Sequence, residues 1–343
     1  MIIRARAPLR ISFSGGGTDL PPYPEERGGL VLNATIDRYA YATLRFLPER
    51  VLRVNSRDIE TTIHLGLDDP LVYDGKLDLI KACLGRLMPE ATPESKGIEL
   101  YLEVDAPAGS GLGGSSAVVV AAIGALRKWR HLPLDNYQMA HLAWEIERQD
   151  VGIPGGVQDQ YAATFGGFNL MEFNGPGKVI VNPLRIAPQI VYELQYSLLL
   201  VYVGSRNSSH IIEEQVSGYV NRHTDVLDAM DQMKELTIEA KNALLTGRLD
   251  DLGAILHEEW LHKKRTAGSV TTPQIDEMYE EARRLGVIGG KVSGAGGGGF
   301  MFLYCPFDRK PAVAERLIQM GGQVSSIAFE LEGMKSWAWN MPN

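Results

Sequence analysis

The chain has 343 residues, 45% of them hydrophobic, ample for a large core spread over two domains or one two-lobed unit. Its net charge of −8, with acidic and basic residues interspersed, excludes the basic face of a nucleic-acid binder. No apolar run approaches the ~20 residues of a membrane span, and Met1-Ile2-Ile3-Arg4 lacks the apolar stretch of a signal peptide. Cys83 and Cys305, far apart in apolar surroundings, read as buried free thiols of a cytoplasmic protein. No Cys/His cluster has metal-site spacing.

In chain order, 4–14 reads as a strand interrupted at Pro8, followed by the turn Gly15-Gly16-Gly17-Thr18-Asp19. Segments 31–36 and 39–46 read as two strands, and 51–55 and 61–65 extend an antiparallel sheet. A helix is predicted over 76–88, then a strand over 98–104 in which Ile98, Leu100, Leu102 and Val104 alternate with Glu99, Tyr101 and Glu103. Residues 118–129 continue as an apolar helix, and 136–149 as a helix capped by Asp135. The loop 152–156 leads to a short helix over 158–164, and 197–203 is an apolar strand. Long amphipathic helices are predicted over 211–241 and 249–266, and a further helix over 274–285 after Thr272-Pro273. A glycine-rich turn feeds the strand 300–305; 310–320 is helical and 324–330 closes as a strand. The strand-heavy first 190 residues and helix-rich remainder indicate an α+β protein in two lobes, 1–190 and 191–343.

The most informative stretch is Pro107-Ala-Gly109-Ser110-Gly111-Leu112-Gly113-Gly114-Ser115-Ser116-Ala117, between a strand and an apolar helix. Its glycines let backbone N–H groups approach a ligand, and the helix start adds unpaired N–H groups and a positive dipole end. That combination cradles polyphosphate, and Ser115 and Ser116 supply hydroxyls suited to a nucleotide's magnesium. Gly109, Gly111 and Gly114 also fit a dinucleotide fingerprint, with Asp135 about twenty residues on. The alternating strand before them has one wet face, however, whereas a dinucleotide-binding strand is apolar throughout. The Walker pattern is absent. Two further glycine-rich segments, 15–19 and 293–299, stand far from the first. Glycine runs cost backbone entropy, so three of them ask for more than tight turns.

Taken together, the three segments resemble the motifs of the GHMP kinases, in the same order and over nearly the whole chain. The phrase Gly15-Gly-Gly-Thr-Asp19 with Val31-Leu-Asn-Ala-Thr-Ile36 is most similar to sugar kinases acting on heptose 7-phosphate, with L-fucose kinases close behind. The resemblance implies a two-lobed fold, the N-terminal lobe ribosomal-S5-like and the C-terminal lobe ferredoxin-like. It also implies ATP and Mg2+ as cofactors, and phosphorylation of an anomeric hydroxyl in nucleotide-heptose synthesis for surface polysaccharide. The partners expected are thus a sugar phosphate and ATP, with no nucleic acid and no membrane; a homodimer is left open.

Residue roles follow from the same resemblance. Asp159, in Gly155-Gly156-Val-Gln-Asp159-Gln160, matches the catalytic base of galactokinase-like members, although an Asp there also suits a helix cap. Glu147, twelve positions earlier, matches their magnesium-binding glutamate, with Ser116 beside it and Glu145 as competitor. Arg10, amid apolar residues, is directed at the catalytic carboxylate and the transferring phosphoryl group. Pro107, Gly109, Ser110, Gly111, Leu112, Gly113, Gly114, Ser115 and Ser116 are expected to hold the nucleotide. The sugar is expected against Gly16, Gly17, Thr18, Asp19, Gly155, Gly156 and Asp159, with Gly296 and Gly297. Galactokinase carries Glu-His where this chain has Gly16-Gly17, which opens space for a longer sugar. A second anion site is expected at Arg206, Ser208 and Ser209, ahead of the rival cluster Lys263-Lys264-Arg265, which otherwise reads as a solvated helix end. The mevalonate-kinase lysine has no counterpart before residue 76. The alternatives are another free-sugar kinase of the same family, an inactive binding relative, and a dinucleotide oxidoreductase.

Overall fold

The computed structural model describes residues 1–340 apart from positions 176 and 207; of Ser208 it describes the backbone alone. The first half runs β1 (Ile2–Ser14), α1 (Tyr23–Arg27), β2 (Gly29–Leu47), β3 (Val51–Ser56), β4 (Thr61–Gly66), α2 (Asp78–Leu87), β5 (Gly97–Val104), α3 (Gly114–Arg130), α4 (Asn136–Glu145), α5 (Gln158–Phe165), β6 (Phe168–Phe173) and β7 (Val179–Pro183). The second runs α6 (Pro188–Ser197), β8 (Leu198–Tyr202), α7 (Ser208–Val220), α8 (Thr224–Thr246), α9 (Leu249–Arg265), α10 (Pro273–Arg284), β9 (Gly289–Val292), β10 (Phe300–Tyr304), α11 (Lys310–Gln319), β11 (Gln323–Ser325) and β12 (Lys335–Trp339).

Two sheets result. The larger has the order β12-β1-β2-β5-β3-β4, with β6 on β2 and β7 on β6; the smaller has the order β11-β8-β10-β9. All pairings are antiparallel except β3 with β5. Segments 31–36 and 39–46 form one strand, because β2 has different neighbours along its length. Its first half pairs with β6 and its second with β5, while a register shift opposite Pro8 and Leu9 bends the ladder to β1. On β5, Tyr101 is exposed as the alternation predicts, but Glu99 is buried because Arg45 and Arg53 pair with it. Helix α3 is buried almost all round, from Val119 to Leu126, which explains its unbroken apolar run.

Other elements depart from the sequence expectation. The single helix over 211–241 is divided between α7 and α8, where Arg222 adopts a left-handed φ of 57°. The closing strand shrinks to β11 plus a bridge from Phe329 to Ile36. Strand β12 has no counterpart in the sequence reading: Trp337 and Trp339 are exposed, so no buried alternation marks it, and its pairing to β1 is made by the backbone.

One core joins the sheets. Phe13 of β1 meets Phe302 of β10 edge-on, with ring centroids 5.7 Å apart. Beside this contact, Glu259 of α9 is fully buried. One of its oxygens accepts from Gly15 N (2.9 Å) and Lys291 Nζ (2.9 Å), the other from Ser14 Oγ (3.0 Å). The first glycine turn is thereby tied to the second sheet. Breaking a buried ion pair leaves a stranded charge, so Glu259→Ala is expected to cost about 3–5 kcal/mol in denaturant unfolding; a loss below about 1 kcal/mol would contradict this anchoring role.

Candidate functional site

Arg10 lies mid-strand on β1 and is buried, and its guanidinium donates to three segments remote in sequence. Nε and Nη2 reach Asp159 Oδ1 at 2.7 and 2.6 Å, and Nη1 reaches Gly111 O at 2.6 Å and Ser293 Oγ at 3.4 Å. Its backbone N–H donates to Leu112 O at 2.9 Å. The first strand, the second and third glycine loops and the start of α5 therefore converge on one side chain.

Asp159 is not a helix cap. It sits in the first turn of α5, where the positive helix end favours an anion, and points at Arg10. Its Oδ2 has no hydrogen-bond partner among the described residues and its side chain is 22% exposed, so one acceptor faces open space. Gly113, at φ 76°, turns the chain into α3; a Cβ there would lie 3.4 Å from the Asp159 carboxyl carbon. Only glycine combines that backbone with that closeness.

A second pole lies at the start of α3. Ser116 Oγ donates to Glu147 Oε2 at 2.6 Å and Ser115 Oγ to Glu147 Oε1 at 3.1 Å, while the Gln160 amide donates to both Glu147 and Ser116. After α4 the chain widens into a single π turn, Ile146–Asp150, a feature frequent at functional sites. It buries Glu147, while Glu145 points outward to Arg86 and His141, both at 3.5 Å. A carboxylate, two hydroxyls and nucleotide phosphates make an all-oxygen set of the kind that suits magnesium. No cluster of three or more His, Cys, Asp or Glu side chains placed to hold a metal occurs among the described residues.

Asp19 acts as a clamp. Its oxygens accept from the backbone N–H groups of Gly17 (3.1 Å), Val157 (2.9 Å) and Gln158 (3.1 Å) and from the Gln158 amide (3.3 Å), tying the first glycine turn to the loop before α5. Thr18 is fully buried, its hydroxyl bonded to Gly15 O and to Leu30, so it shapes the turn from behind. Gln158 lines the same cavity as Asp19, and its Oε1 is buried with no partner among the described residues.

Two spaces meet at the Arg10–Asp159 pair. A cleft of about 580 Å³ runs along residues 106–118 past Pro107, Gly109, Ser110, Gly114 and Glu147, with Ile59, Leu77, Leu79 and Val104 at an apolar end. A smaller cavity is lined by Gly16, Gly17, Asp19, Gly156, Gln158 and Lys263. Arg10, Asp159 and Gly156 border both.

Several sequence expectations shift in detail. Leu112 faces the core and contributes its carbonyl. Gly296 and Gly297 pack against Val270 and Ile211, and Gly294 and Ala295 line the cavity in their place. Arg206 borders the cleft, and its guanidinium lies against Gly111 and Gly294; burial and then Arg10 bring it down to about 10. The Ser208 side chain lies outside the described residues; Ser209, in the first turn of α7, makes its own contacts. In the rival basic cluster, Lys264 pairs with Asp276 and Arg265 with Asp228, but Lys263 is buried inside the cavity, its Nζ donating to Gly16 O at 2.7 Å. Gln160 carries no site role in the sequence, and Lys263 enters there only within the rival anion cluster, read as a solvated helix end. Gln160 adjoins Asp159 within the quoted phrase, whereas Lys263 sits in a charged run whose inward face no periodicity reveals.

The clamp depends on Gly156, where a Cβ would fall 2.0 Å from Asp19 Oδ2. Gly156→Ala is expected to destabilise the fold by about 1–3 kcal/mol through overpacking; an unchanged unfolding midpoint would contradict the clamp.

Comparison with known proteins shows the family. The models "GHMP kinases N terminal domain" and "GHMP kinases C terminal" match residues 78–167 and 240–323. A D-glycero-alpha-D-manno-heptose 7-phosphate kinase of Campylobacter jejuni is 40% identical over 98% of each chain. The crystal structure of a D-glycero-D-manno-heptose 1-phosphate kinase from Bacteroides thetaiotaomicron superposes with a TM-score of 0.82 at 36% identity, covering 99% of this chain and 100% of that one. The galactose complex of Lactococcus lactis galactokinase, at 18% identity and a TM-score of 0.74 over 97% of this chain and 95% of that one, shares the fold. The chain belongs to the GHMP kinase family and is an ATP-dependent phosphotransferase.

Proposed function

We propose that the protein transfers the γ-phosphoryl group of ATP to the anomeric hydroxyl of D-glycero-D-manno-heptose 7-phosphate, giving the 1,7-bisphosphate and ADP. The observation that carries this reading is the Arg10–Asp159 pair at the junction of the nucleotide cleft and the smaller cavity. The choice of sugar rests on the two heptose-phosphate kinase relatives and on the missing side chains at Gly16 and Gly17.

In the mechanism, the backbone N–H groups at the start of α3 hold the nucleotide phosphates, and its base occupies the apolar end beside Leu77 and Val104. Glu147 with Ser116, and Ser115 alongside, would hold Mg2+, whose charge neutralises the phosphates when bound. Asp159 Oδ2 accepts the proton of the sugar hydroxyl as that oxygen bonds to the γ-phosphorus; the bond to the β-phosphate oxygen breaks and ADP leaves with the electron pair. Arg10 fixes the carboxylate through Oδ1, leaving Oδ2 for the hydroxyl. Arg206, between the second and third glycine loops, faces the transferring group and adds positive charge there. Asp19 and Gln158 shape the sugar's seat.

A panel of heptose 7-phosphate, heptose, galactose and L-fucose with magnesium-ATP tests the reading, with products read by mass and by the phosphorylated carbon. Heptose 7-phosphate is expected to be preferred and to gain phosphate at carbon 1; a preference for galactose or L-fucose would overturn the assignment. Asp159→Asn is expected to lower kcat about 10²–10⁴-fold with both KM values little changed. A loss under tenfold would remove Asp159 as the base.

A further inference from the structure

Lys263 is the cation of the smaller cavity that the reaction above does not use. It is 2% exposed, on the same helix as Glu259 and one turn further on. Glu259 cannot neutralise it at contact distance, because that carboxylate is taken by Lys291, Gly15 N and Ser14 Oγ. An ammonium has three donors; among the described residues, those of Lys263 find only Gly16 O, and no ion pair forms. The Nζ instead borders the cavity beside Gly17, where a Cβ would lie 3.0 Å away. The space vacated at position 17 is therefore partly the seat of a lysine head. A buried, unpaired ammonium is costly and is retained where a ligand supplies the opposite charge.

We propose that Lys263 binds the phosphate already carried by the acceptor sugar and sets the preference for a phosphorylated over an unphosphorylated sugar. This deepens the reading above and rests on it. Electrostatics agree with the geometry. Burial, and then Lys291, push the Lys263 ammonium down to about 7, with Arg206 adding to this and Glu259 and Asp19 opposing it. A phosphate dianion beside it restores the charge, so binding takes up a proton above pH 7 and the acceptor KM rises with pH there.

The test is Lys263→Met, which keeps length and removes charge. It is expected to raise the KM for heptose 7-phosphate about 10–100-fold. The KM for ATP and kcat/KM for unphosphorylated heptose should stay within about twofold, and the rise of acceptor KM above pH 7 should vanish. Equal losses on both sugars, with a lowered melting midpoint, would mark Lys263 as a prop for Gly16 and overturn the proposal. If the wild-type enzyme rejects heptose 7-phosphate, the proposed substrate fails, and a second arm still decides the role of Lys263. With magnesium-ADP filling the nucleotide cleft, millimolar inorganic phosphate should raise the melting midpoint of wild type but not of Lys263→Met. The same rise in both proteins, or in neither, would overturn the phosphate-receptor role.

Discussion

One guanidinium organises this reaction centre. Arg10 is buried on a central strand, and its donors are consumed by a carboxylate, a loop carbonyl and a loop hydroxyl that belong to three remote segments. A buried cation left without those partners would be severely penalised, so the burial of β1 and the convergence of the loops are energetically coupled. The planar, forked geometry of arginine matters here, since a lysine could not serve Asp159 through two nitrogens and the loops through a third. Arg10 thus joins the second and third glycine loops, which also bond directly through Phe300 N and Ser110 O at 2.9 Å, while Glu259 and Asp19 tie in the first.

The four carboxylates around this centre show how partners sort chemistry. Asp19 is loaded with backbone N–H donors and so clamps two loops. Glu259 is saturated by Lys291, Gly15 and Ser14 and joins the sheets. Glu147 is met by serine hydroxyls and an amide, neutral donors that a cation can replace, with the Arg148 guanidinium farther off at 3.9 Å. Asp159 keeps one oxygen held and one open. Of the four, only that last pattern suits proton acceptance from an incoming hydroxyl, and the differences arise from local hydrogen bonding, not from residue type.

Much of this was legible in the sequence. The alternation in 98–104, the glycine cradle and the apolar helix behind it follow from periodicity and turn chemistry, and the structure places Arg10, Asp159, Glu147, Ser115 and Ser116 together. Residues defined by three-dimensional partners were not legible. Lys263 looks like its solvated neighbours Lys264 and Arg265, because burial against a remote glycine turn leaves no local signature. Asp19 and Thr18 carry the composition of a ligand-binding turn, yet their polar atoms are spent within the protein. Strand β12 is hidden for a similar reason, since its pairing is made by backbone alone and its tryptophans stay exposed.

Arg10 and Asp159 act as one unit, and a double-mutant cycle on kcat tests this. If Arg10 works through the carboxylate it holds, Arg10→Met combined with Asp159→Asn should lose little more than Asp159→Asn alone, a coupling of at least about 1 kcal/mol. Losses that multiply, with each substitution acting independently of the other, would contradict a single organising pair.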